Sequence, residues 1–275
     1  MKNVIWGLSL LSLSLVAMNC TQIENEEIET SNPVEELTQK HGLNSVLWTQ
    51  TAAEYRALCY QSYNLAKLQL DKKLRGHAYP YELPPAIVMD LDETVMNNSF
   101  FNAQLIIENK GFSKDAWKEW SDKKSAGSVP GAIEFIQYAQ SKGIQVIFIS
   151  NRRVDELQNT KLNLEKLGLQ NLDTANFYFR VKEGSKMGRR AEVAENYEIV
   201  MLFGDNLADF TELFDKKSVE NRNHTVDSLQ TRFGDSFIIL PNVLYGEWEG
   251  ALFGYTYKFT ESQKDSIRMS WIKGY

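Results

Sequence analysis

The sequence is poor in the residues that build thiolate metal sites and disulfide frameworks. Its 275 residues include only 2 Cys and 3 His, which form no Cys/His cluster in the sequence, so a zinc site is not expected, and the two cysteines allow at most one intrachain disulfide. Positive charge is not in excess either, since 30 Lys and Arg face 36 Asp and Glu. We therefore expect no binding to a nucleic acid polymer. The remaining composition, 43% hydrophobic and 24% charged, is typical of a globular protein.

The N-terminus differs from the rest of the chain. Lys2 precedes a leucine- and serine-rich apolar run at residues 4–16, which is too short to span a membrane comfortably as a mature helix. The run ends near Cys20, a position that resembles the lipobox cysteine of bacterial lipoproteins. We predict a lipoprotein signal peptide at residues 1–19 and a membrane anchor through lipidated Cys20. The alternatives are an ordinary signal peptide cut nearby and a disulfide between Cys20 and Cys59.

The chain after Cys20 begins with an acidic, polar stretch. It continues with the residue pattern of a folded domain. Residues 20–40 contain Pro33 and predict a flexible tether. Beyond them, short apolar runs without polar alternation, typical of buried parallel strands, alternate with helical patterns. The predicted strands are residues 85–92, 144–153, 176–181, 198–210 and 236–242, and the predicted helices are residues 43–74 (one long or two short), 131–143, 154–169 and 186–197. This alternation predicts an α/β fold with a Rossmann-like parallel sheet.

Polar side chains follow three of the predicted strands where each strand ends. Asp90 and Asp92 end the first, Ser150 and Asn151 the second, and Asp205 the fourth. Ligands of open parallel sheets bind beyond the carboxyl ends of the strands, so we expect these residues to converge. Carboxylate oxygens are ligands that Mg²⁺ prefers. The pattern therefore predicts that Asp90 and Asp205 hold one Mg²⁺ ion.

The same residue types can transfer a phosphoryl group. Asp90 is a candidate nucleophile, because carboxylates form aspartyl-phosphate intermediates. Asp92 can protonate the leaving oxygen and then activate water. Ser150 can bind phosphoryl oxygens, and Lys186 can neutralise charge on the nucleophile and the phosphate. Asp209 is a candidate to hold a metal-bound water or Lys186.

Each of these residues also has an ordinary structural interpretation. Asp90 and Asp92, with neighbouring Glu93, also fit a solvated acidic turn, and Ser150 and Asn151 fit a helix N-cap. Four arginines are predicted to form surface ion pairs rather than to bind substrate: Arg152, Arg153, Arg189 and Arg190. Four aromatic residues fit core packing as well as a ligand platform: Phe100, Phe101, Trp117 and Trp120.

Four motifs in order identify a family resemblance. They are DLDET at residues 90–94, FISNR at 148–152, SKMGRR at 185–190 and GDNLADF at 204–210. Together they resemble the ordered motifs of haloacid dehalogenase-like phosphohydrolases. Residues 47–67 and 240–252 are similar to one branch, the bacterial class C acid phosphatases, which are exported and often lipid-anchored to the outer membrane. The resemblance covers the chain from about residue 40 to its end.

The resemblance implies a role for each matched residue. Asp90 would be the nucleophile and a Mg²⁺ ligand, and Asp92 the general acid and base, with its backbone carbonyl on the ion. Asp205 would bind Mg²⁺ directly and Asp209 would lie behind it. The remaining matches would bind substrate or assist catalysis: Ser150 and Asn151 on the phosphate, Lys186 as the lysine of the third motif, and Tyr245 stacked on the nucleoside of a 5′-nucleotide. One departure is visible, because Asn97 and Asn98 stand where relatives often have an Asp-Asn pair.

The resemblance also implies an architecture, a location and a substrate class. The core sheet would use about residues 85–94 and 129–245, and a smaller helical subdomain would use about 41–76, 95–128 and 246–275. The enzyme would be an acid phosphatase and 5′-nucleotidase at the bacterial outer membrane, acting on 5′-nucleotides, aryl phosphates or sugar phosphates. The oligomeric state stays open, with a homodimer among the options.

Two other functions compete with this interpretation. A halide- or phosphonate-cleaving relative would use the same fold, but dehalogenation needs neither a metal nor the leaving-group acid that Asp92 supplies. A surface lipoprotein with a vestigial site would bind a ligand without turning it over. The complete set of Asp90, Asp92, Lys186 and Asp205 argues against such decay.

Overall fold

The computed structural model of the chain describes residues 40–76, 81–170, 172–256 and 258–275. The predicted signal peptide, Cys20 and the tether through residue 39 lie outside these ranges and stay predictions. None of the helices in the described ranges is both long enough and apolar enough to cross a membrane. Cys59 is a buried free cysteine.

A five-stranded parallel sheet forms the centre of the fold, with strand order β5-β4-β1-β6-β7. A separate antiparallel pair, β2 and β3, lies outside it. The strands are β1 (Pro85–Met89), β2 (Met96–Asn97), β3 (Gly127–Ser128), β4 (Gln145–Arg153), β5 (Phe177–Arg180), β6 (Glu198–Gly204) and β7 (Phe237–Ile239). The predicted parallel α/β sheet is confirmed.

The helices flank this sheet and connect its strands. They are α1 (Lys40–Thr51), α2 (Ala53–Gly76), α3 (Ser99–Ile107), α4 (Lys114–Lys123), α5 (Ala132–Ser141), α6 (Leu157–Lys166), α7 (Met187–Ala194), α8 (Val219–Ser228), α9 (Glu247–Leu252) and α10 (Glu261–Trp271). The predicted helix at 43–74 is two helices with a break at Ala52. Sequence patterning missed α8, because its residues are almost all polar. The start of α8 could have been predicted, because Ser is a favoured N-cap residue. The Ser218 side chain caps the helix by accepting from the Asn221 N–H at 3.3 Å.

Alternate residues of β1 face opposite layers of the core, as the strand period of two requires. Ile87 and Met89 belong to the larger cluster, together with residues of α2 and α5. Ala86 and Val88 belong to a smaller cluster with Val193 of α7. Full burial of each large side chain contributes roughly 1.5–3 kcal/mol. Both faces of β1 are therefore buried in the core, which explains why polar and apolar residues do not alternate in its sequence.

β1 ends earlier than predicted, at Met89 rather than residue 92. Asp90 still donates its N–H to the Phe203 carbonyl at 3.0 Å, but the chain then turns away from the sheet. The Leu91 carbonyl accepts from the N–H groups of Val95 and Met96, both at 2.8 Å, and Glu93 adopts φ 57°. Asp90 and Asp92 thus lie in a tight turn rather than on a regular strand.

Three other predicted strands also overrun their observed ends, whereas β4 ends at Arg153 as predicted. β6 stops at Gly204, and a short 3₁₀ turn at Leu207–Asp209 replaces the last part of the predicted strand. All described residues belong to one compact unit. The predicted division into a core sheet and a helical subdomain stays a prediction.

Candidate active site

Three carboxylates meet beyond the carboxyl ends of β1 and β6. Oxygen atoms of Asp90, Asp205 and Asp209 lie within 4.8 Å of one another. Lys186, buried at the start of α7, hydrogen-bonds Asp90 Oδ1 and places its Nζ 2.6 Å from Asp209 Oδ1. One ammonium against three carboxylates leaves an excess of negative charge, and buried like charges repel strongly. A further cation is therefore needed to balance the negative charge of the cluster.

Burial dominates the acid–base behaviour of this cluster. It raises the pKa of Asp90 to about 7, although Lys186 pulls in the opposite direction. It also raises the pKa of Asp205 well above its usual range, with the charges of Asp209 and Asp90 adding to the effect. A divalent cation would favour the ionised forms of Asp90 and Asp205. Because every donor is a hard oxygen atom, the cluster fits a hard divalent metal ion.

Asp205 is held by two residues to which the sequence assigned no role. Thr94 Oγ1 donates to Asp205 Oδ1 at 3.4 Å, and Asn242 Nδ2 donates to Asp205 Oδ2 at 2.7 Å. Thr94 belongs to the first motif and Asn242 follows β7. The position of Asn242 at the end of the fifth predicted strand was the available signal, since strand ends converge on one edge of the sheet.

Asp209 occupies space that a side chain at position 204 would need. The Asn206 N–H donates to Asp209 Oδ2 at 3.0 Å, which turns the carboxylate back toward the end of β6. A Cβ on Gly204 would lie 2.3 Å from Asp209 Oδ2 and 2.4 Å from Asp209 Cβ. Real carbon atoms do not approach that closely, so glycine is required here.

We expect Gly204→Ala to displace Asp209 and lower both metal affinity and stability. Overpacking of this kind costs roughly 1–3 kcal/mol of unfolding free energy. The matched control is Gly188→Ala, because a Cβ there meets nothing within 4 Å. Alanine inside α7 should instead stabilise by about 1 kcal/mol. Denaturant unfolding with and without Mg²⁺ measures both effects, and equal stability of the two variants would contradict this account.

Asp92 is turned toward Arg152 rather than toward the carboxylate cluster. Arg152 donates to Asp92 Oδ1 from Nη2 at 2.7 Å and from Nε at 3.0 Å, and to Oδ2 from Nε at 3.2 Å. Asn98 Nδ2 adds a bond to Oδ1 at 2.9 Å. Arg152 is only 3% exposed. Arg152 and Arg190 do form ion pairs, with Asp92 and Glu212, but the predicted surface location is wrong because both arginines are buried. Arg190 also donates to the Ala208 and Asp209 carbonyls.

Helix α4 supports this ion pair through two indole groups. Trp120 Nε1 donates to Asn98 Oδ1 at 2.8 Å, and Trp117 Nε1 donates to Glu156 Oε1 at 2.8 Å. The Trp117 ring also lies 5.2 Å from the Arg152 guanidinium carbon, within the range of a cation–π contact. Both tryptophans thus contact residues near Asp92, the predicted general acid: Trp120 contacts Asn98, and Trp117 contacts Arg152.

The predicted phosphate-binding residues lie at the end of β4. Ser150 is buried, and its Oγ accepts from the Arg152 N–H at 3.1 Å. Asn151 is exposed, and its Oδ1 accepts from Arg189 Nη2 at 2.7 Å. The helix N-cap interpretation fails for both, because β4 continues through Arg153, which is itself the N-cap of the following 3₁₀ turn.

Tyr245 contacts the turn after β1 by a hydrogen bond to Glu93. The Tyr245 hydroxyl hydrogen-bonds Glu93 Oε2, while Glu93 Oε1 accepts from the Asn98 N–H at 2.7 Å. Glu93 is 2% exposed, and burial raises its pKa well above the usual range, with Asp92 adding to the effect. The Tyr245 side chain keeps an exposed part. The crowding of three acids in four residues was the only sequence signal for Glu93.

Asn97, at the visible departure from the family pattern, has a local structural role. Its Oδ1 accepts from the Ser99 N–H at 2.9 Å, next to the start of α3. Its neighbour Asn98 supplies the bonds to Asp92 and Glu93. The departure at Asn97 therefore leaves the bonds of Asn98 in place.

Comparison with known proteins agrees with this site. The sequence matches the family described as HAD superfamily, subfamily IIIB (acid phosphatase), over residues 5–248. The chain belongs to this family. Among solved structures, it is similar to the class C acid phosphatase from Bacillus anthracis, with a TM-score of 0.82 and 41% identity over 87% of this chain and 99% of that one. The tungstate-bound form of the same phosphatase gives a TM-score of 0.82 and 42% identity, with the same coverage.

More distant relatives of this subfamily IIIB protein include two plant proteins from Glycine max. The stem 31 kDa glycoprotein is 26% identical over 196 residues, which are 63% of this chain and 65% of that protein. The stem 28 kDa glycoprotein is 25% identical over 155 residues, which are 50% of this chain and 59% of that protein. The chain thus spans less than two thirds of the length of both. The resemblance to class C acid phosphatases, drawn from the four motifs together with residues 47–67 and 240–252, is confirmed by the family match and the bacterial structures.

Proposed function

We propose that this protein is a Mg²⁺-dependent acid phosphatase that hydrolyses small phosphomonoesters through an aspartyl-phosphate on Asp90. One observation carries the proposal: Asp90, Asp205, Asp209 and Lys186 converge beyond the carboxyl ends of β1 and β6. This arrangement joins a nucleophile, a cation site and a charge-neutralising lysine. Membership of the acid phosphatase subfamily supports the same chemistry.

Asp90 and Asp205 would hold Mg²⁺, with the backbone carbonyl of Asp92 as a further ligand, while Asp209 would lie behind them and hold Lys186. When bound, the ion stabilises negative charge on the transferring phosphoryl group. Ser150 Oγ accepts from a backbone N–H and still has its own hydrogen to donate to a phosphoryl oxygen. These groups orient the phosphorus atom toward the Asp90 carboxylate, in line with the departing oxygen.

The two chemical steps use Asp90 and Asp92 in turn. In the first, an Asp90 oxygen forms a bond to phosphorus, the bond to the leaving oxygen breaks, and Asp92 gives its proton to that oxygen. In the second, Asp92 takes a proton from water, the water oxygen bonds to phosphorus, and the aspartyl bond breaks. Phosphate leaves and Asp90 is restored. To act as the acid, Asp92 must carry a proton and leave its ion pair with Arg152, which is the physical basis of the expected acid optimum.

The proposed substrates are 5′-nucleotides, aryl phosphates and sugar phosphates. Tyr245, held by Glu93, supports stacking on a nucleobase, which would make the enzyme a 5′-nucleotidase.

The proposed location is the bacterial outer membrane. The apolar run at residues 4–16 and the lipobox-like position of Cys20 support export and lipid anchoring. An intact mass of the membrane-extracted protein should show acyl chains on Cys20 and no residues 1–19. A mass without acyl chains would leave ordinary secretion as the explanation.

The first test is phosphate release from a 5′-mononucleotide and from an activated aryl phosphate, between acid and neutral pH. We expect release with Mg²⁺, loss of release with EDTA, and recovery when Mg²⁺ is restored. Mg²⁺ should also raise the stability of the protein, by about 2.7 kcal/mol at a concentration 100 times its Kd. A thermal melt without substrate measures this effect separately. Absence of release from either substrate would favour a vestigial site that only binds ligands.

A further inference from the structure

Arg189 connects three segments around the phosphate-binding residues instead of forming the predicted surface ion pair. It lies in the first turn of α7, three residues after Lys186. Its guanidinium donates from Nη1 to the carbonyls of Ser150 (2.5 Å) and Tyr178 (3.3 Å), and from Nη2 to Asn151 Oδ1 (2.7 Å) and the carbonyls of Gly184 (3.3 Å) and Ser185 (3.2 Å). The end of β4 is thereby joined to the loop that carries Lys186.

The bond to Asn151 decides which way its amide faces. A guanidinium has donors only, so the amide must present its oxygen to Arg189. The NH₂ group then keeps two N–H bonds for another acceptor. Phosphoryl oxygens are strong acceptors, and an amide turned the other way would point its oxygen at the anion and repel it. Asn151 is exposed at the strand end, so a ligand can reach its NH₂ group.

We propose that Arg189 is a positioning residue that orients the Asn151 amide so that its NH₂ group donates to the phosphoryl group of the substrate. This inference rests on the proposed phosphatase function and adds a residue to its phosphate site. The contact concerns the part that all phosphomonoesters share. Loss of Arg189 should therefore weaken different substrates by the same factor.

A double-mutant cycle tests this coupling on the full-length, Mg²⁺-loaded protein. Binding of inorganic phosphate is measured by calorimetry, and KM and kcat are measured with an aryl phosphate. A hydrogen bond to a charged group is worth roughly 10- to 100-fold in affinity. We expect Arg189→Ala and Asn151→Ala each to weaken phosphate binding by about that factor, with KM raised more than kcat is lowered. The double variant should bind phosphate no more weakly than either single variant.

Two further variants separate positioning from general damage to the fold. Arg153→Ala removes a neighbouring exposed arginine that pairs with Asp155, and it should leave phosphate affinity unchanged. Arg189→Lys keeps the charge but loses the planar fork, so it should restore only part of the affinity. If Arg189→Ala does not fold, the cycle is run with Arg189→Lys and Asn151→Ala.

Additive losses in the double variant, or wild-type phosphate affinity in Arg189→Ala, would overturn the inference and leave the proposed function intact. A wild-type protein that neither binds nor releases phosphate would overturn both. Coupled losses with an unchanged melting temperature would establish that Arg189 acts through Asn151.

Discussion

Asp90→Asn should lower phosphate release by a factor on the order of 10⁴ to 10⁶, the range seen when a hydrolase loses a group of its covalent machinery. The amide cannot form the aspartyl-phosphate, although it fills the same space beside Lys186. Metal-free stability should not fall, because three carboxylates, two of them buried, share one ammonium and the substitution removes one of those charges. Steady-state release with Mg²⁺ and a thermal melt without it measure the two effects.

The control for this substitution is Asp115→Asn, since Asp115 is exposed in the first turn of α4. It should retain wild-type activity. If Asp90→Asn kept even a hundredth of wild-type turnover on several substrates, the covalent route would be wrong, and water would have to attack the phosphoryl group directly. A large drop in the melting temperature of Asp90→Asn would instead mean that the carboxylate mainly serves to hold Lys186.

Arg152→Met should produce the largest loss of stability among these variants. It leaves the Asp92 carboxylate without its three bonds from Arg152, and leaves Thr160 Oγ1 without the bond at 3.0 Å that it accepts from Arg152 Nη1. Removing one partner of a buried ion pair costs about 3–5 kcal/mol. Arg152→Lys keeps a positive charge but lacks the planar guanidinium that donates several bonds to one carboxylate. Its stability should therefore lie between those of wild type and Arg152→Met. Denaturant unfolding of the metal-free proteins gives the order directly.

The adjacent residue provides the comparison for Arg152. Arg153 lies next to it on β4, but its side chain is 61% exposed and pairs with Asp155 at 3.2 Å. Exposed pairs contribute roughly 0–1 kcal/mol, so Arg153→Met should change stability by no more than that. Equal losses at positions 152 and 153 would show that burial of the Arg152–Asp92 pair has no energetic consequence.

The parallel sheet and the convergence of its strand ends were predictable because both follow from local chemistry. A strand buried on two faces must be apolar throughout, and β1 and β6 show that run directly. Asp90 and Asp205 come immediately after those runs. The rule that ligands bind beyond the carboxyl ends of parallel strands then places both residues together without any knowledge of the loops.

The partners of those residues were not predictable in the same way. Arg152 and Arg153 are neighbours of the same type, and only the three-dimensional placement of Asp92, Thr160 and Trp117 makes one buried and the other exposed. The contact between Glu93 and Tyr245 joins residues 152 positions apart. Pairing across such distances depends on tertiary packing, which the hydrophobic period of a single segment does not encode.

The attachment of α4 has a consequence for the timing of the catalytic cycle. Trp120 bonds Asn98, Trp117 bonds Glu156, and Asp122 Oδ1 accepts from Asn159 Nδ2 at 2.8 Å, so the helix is joined to the rest of the domain at three points along its length. Lifting it would break all three bonds and disturb the support of Asp92 at the same time. We therefore expect α4 to stay in place while substrate enters and alcohol leaves. The cycle then has no gating step at this helix.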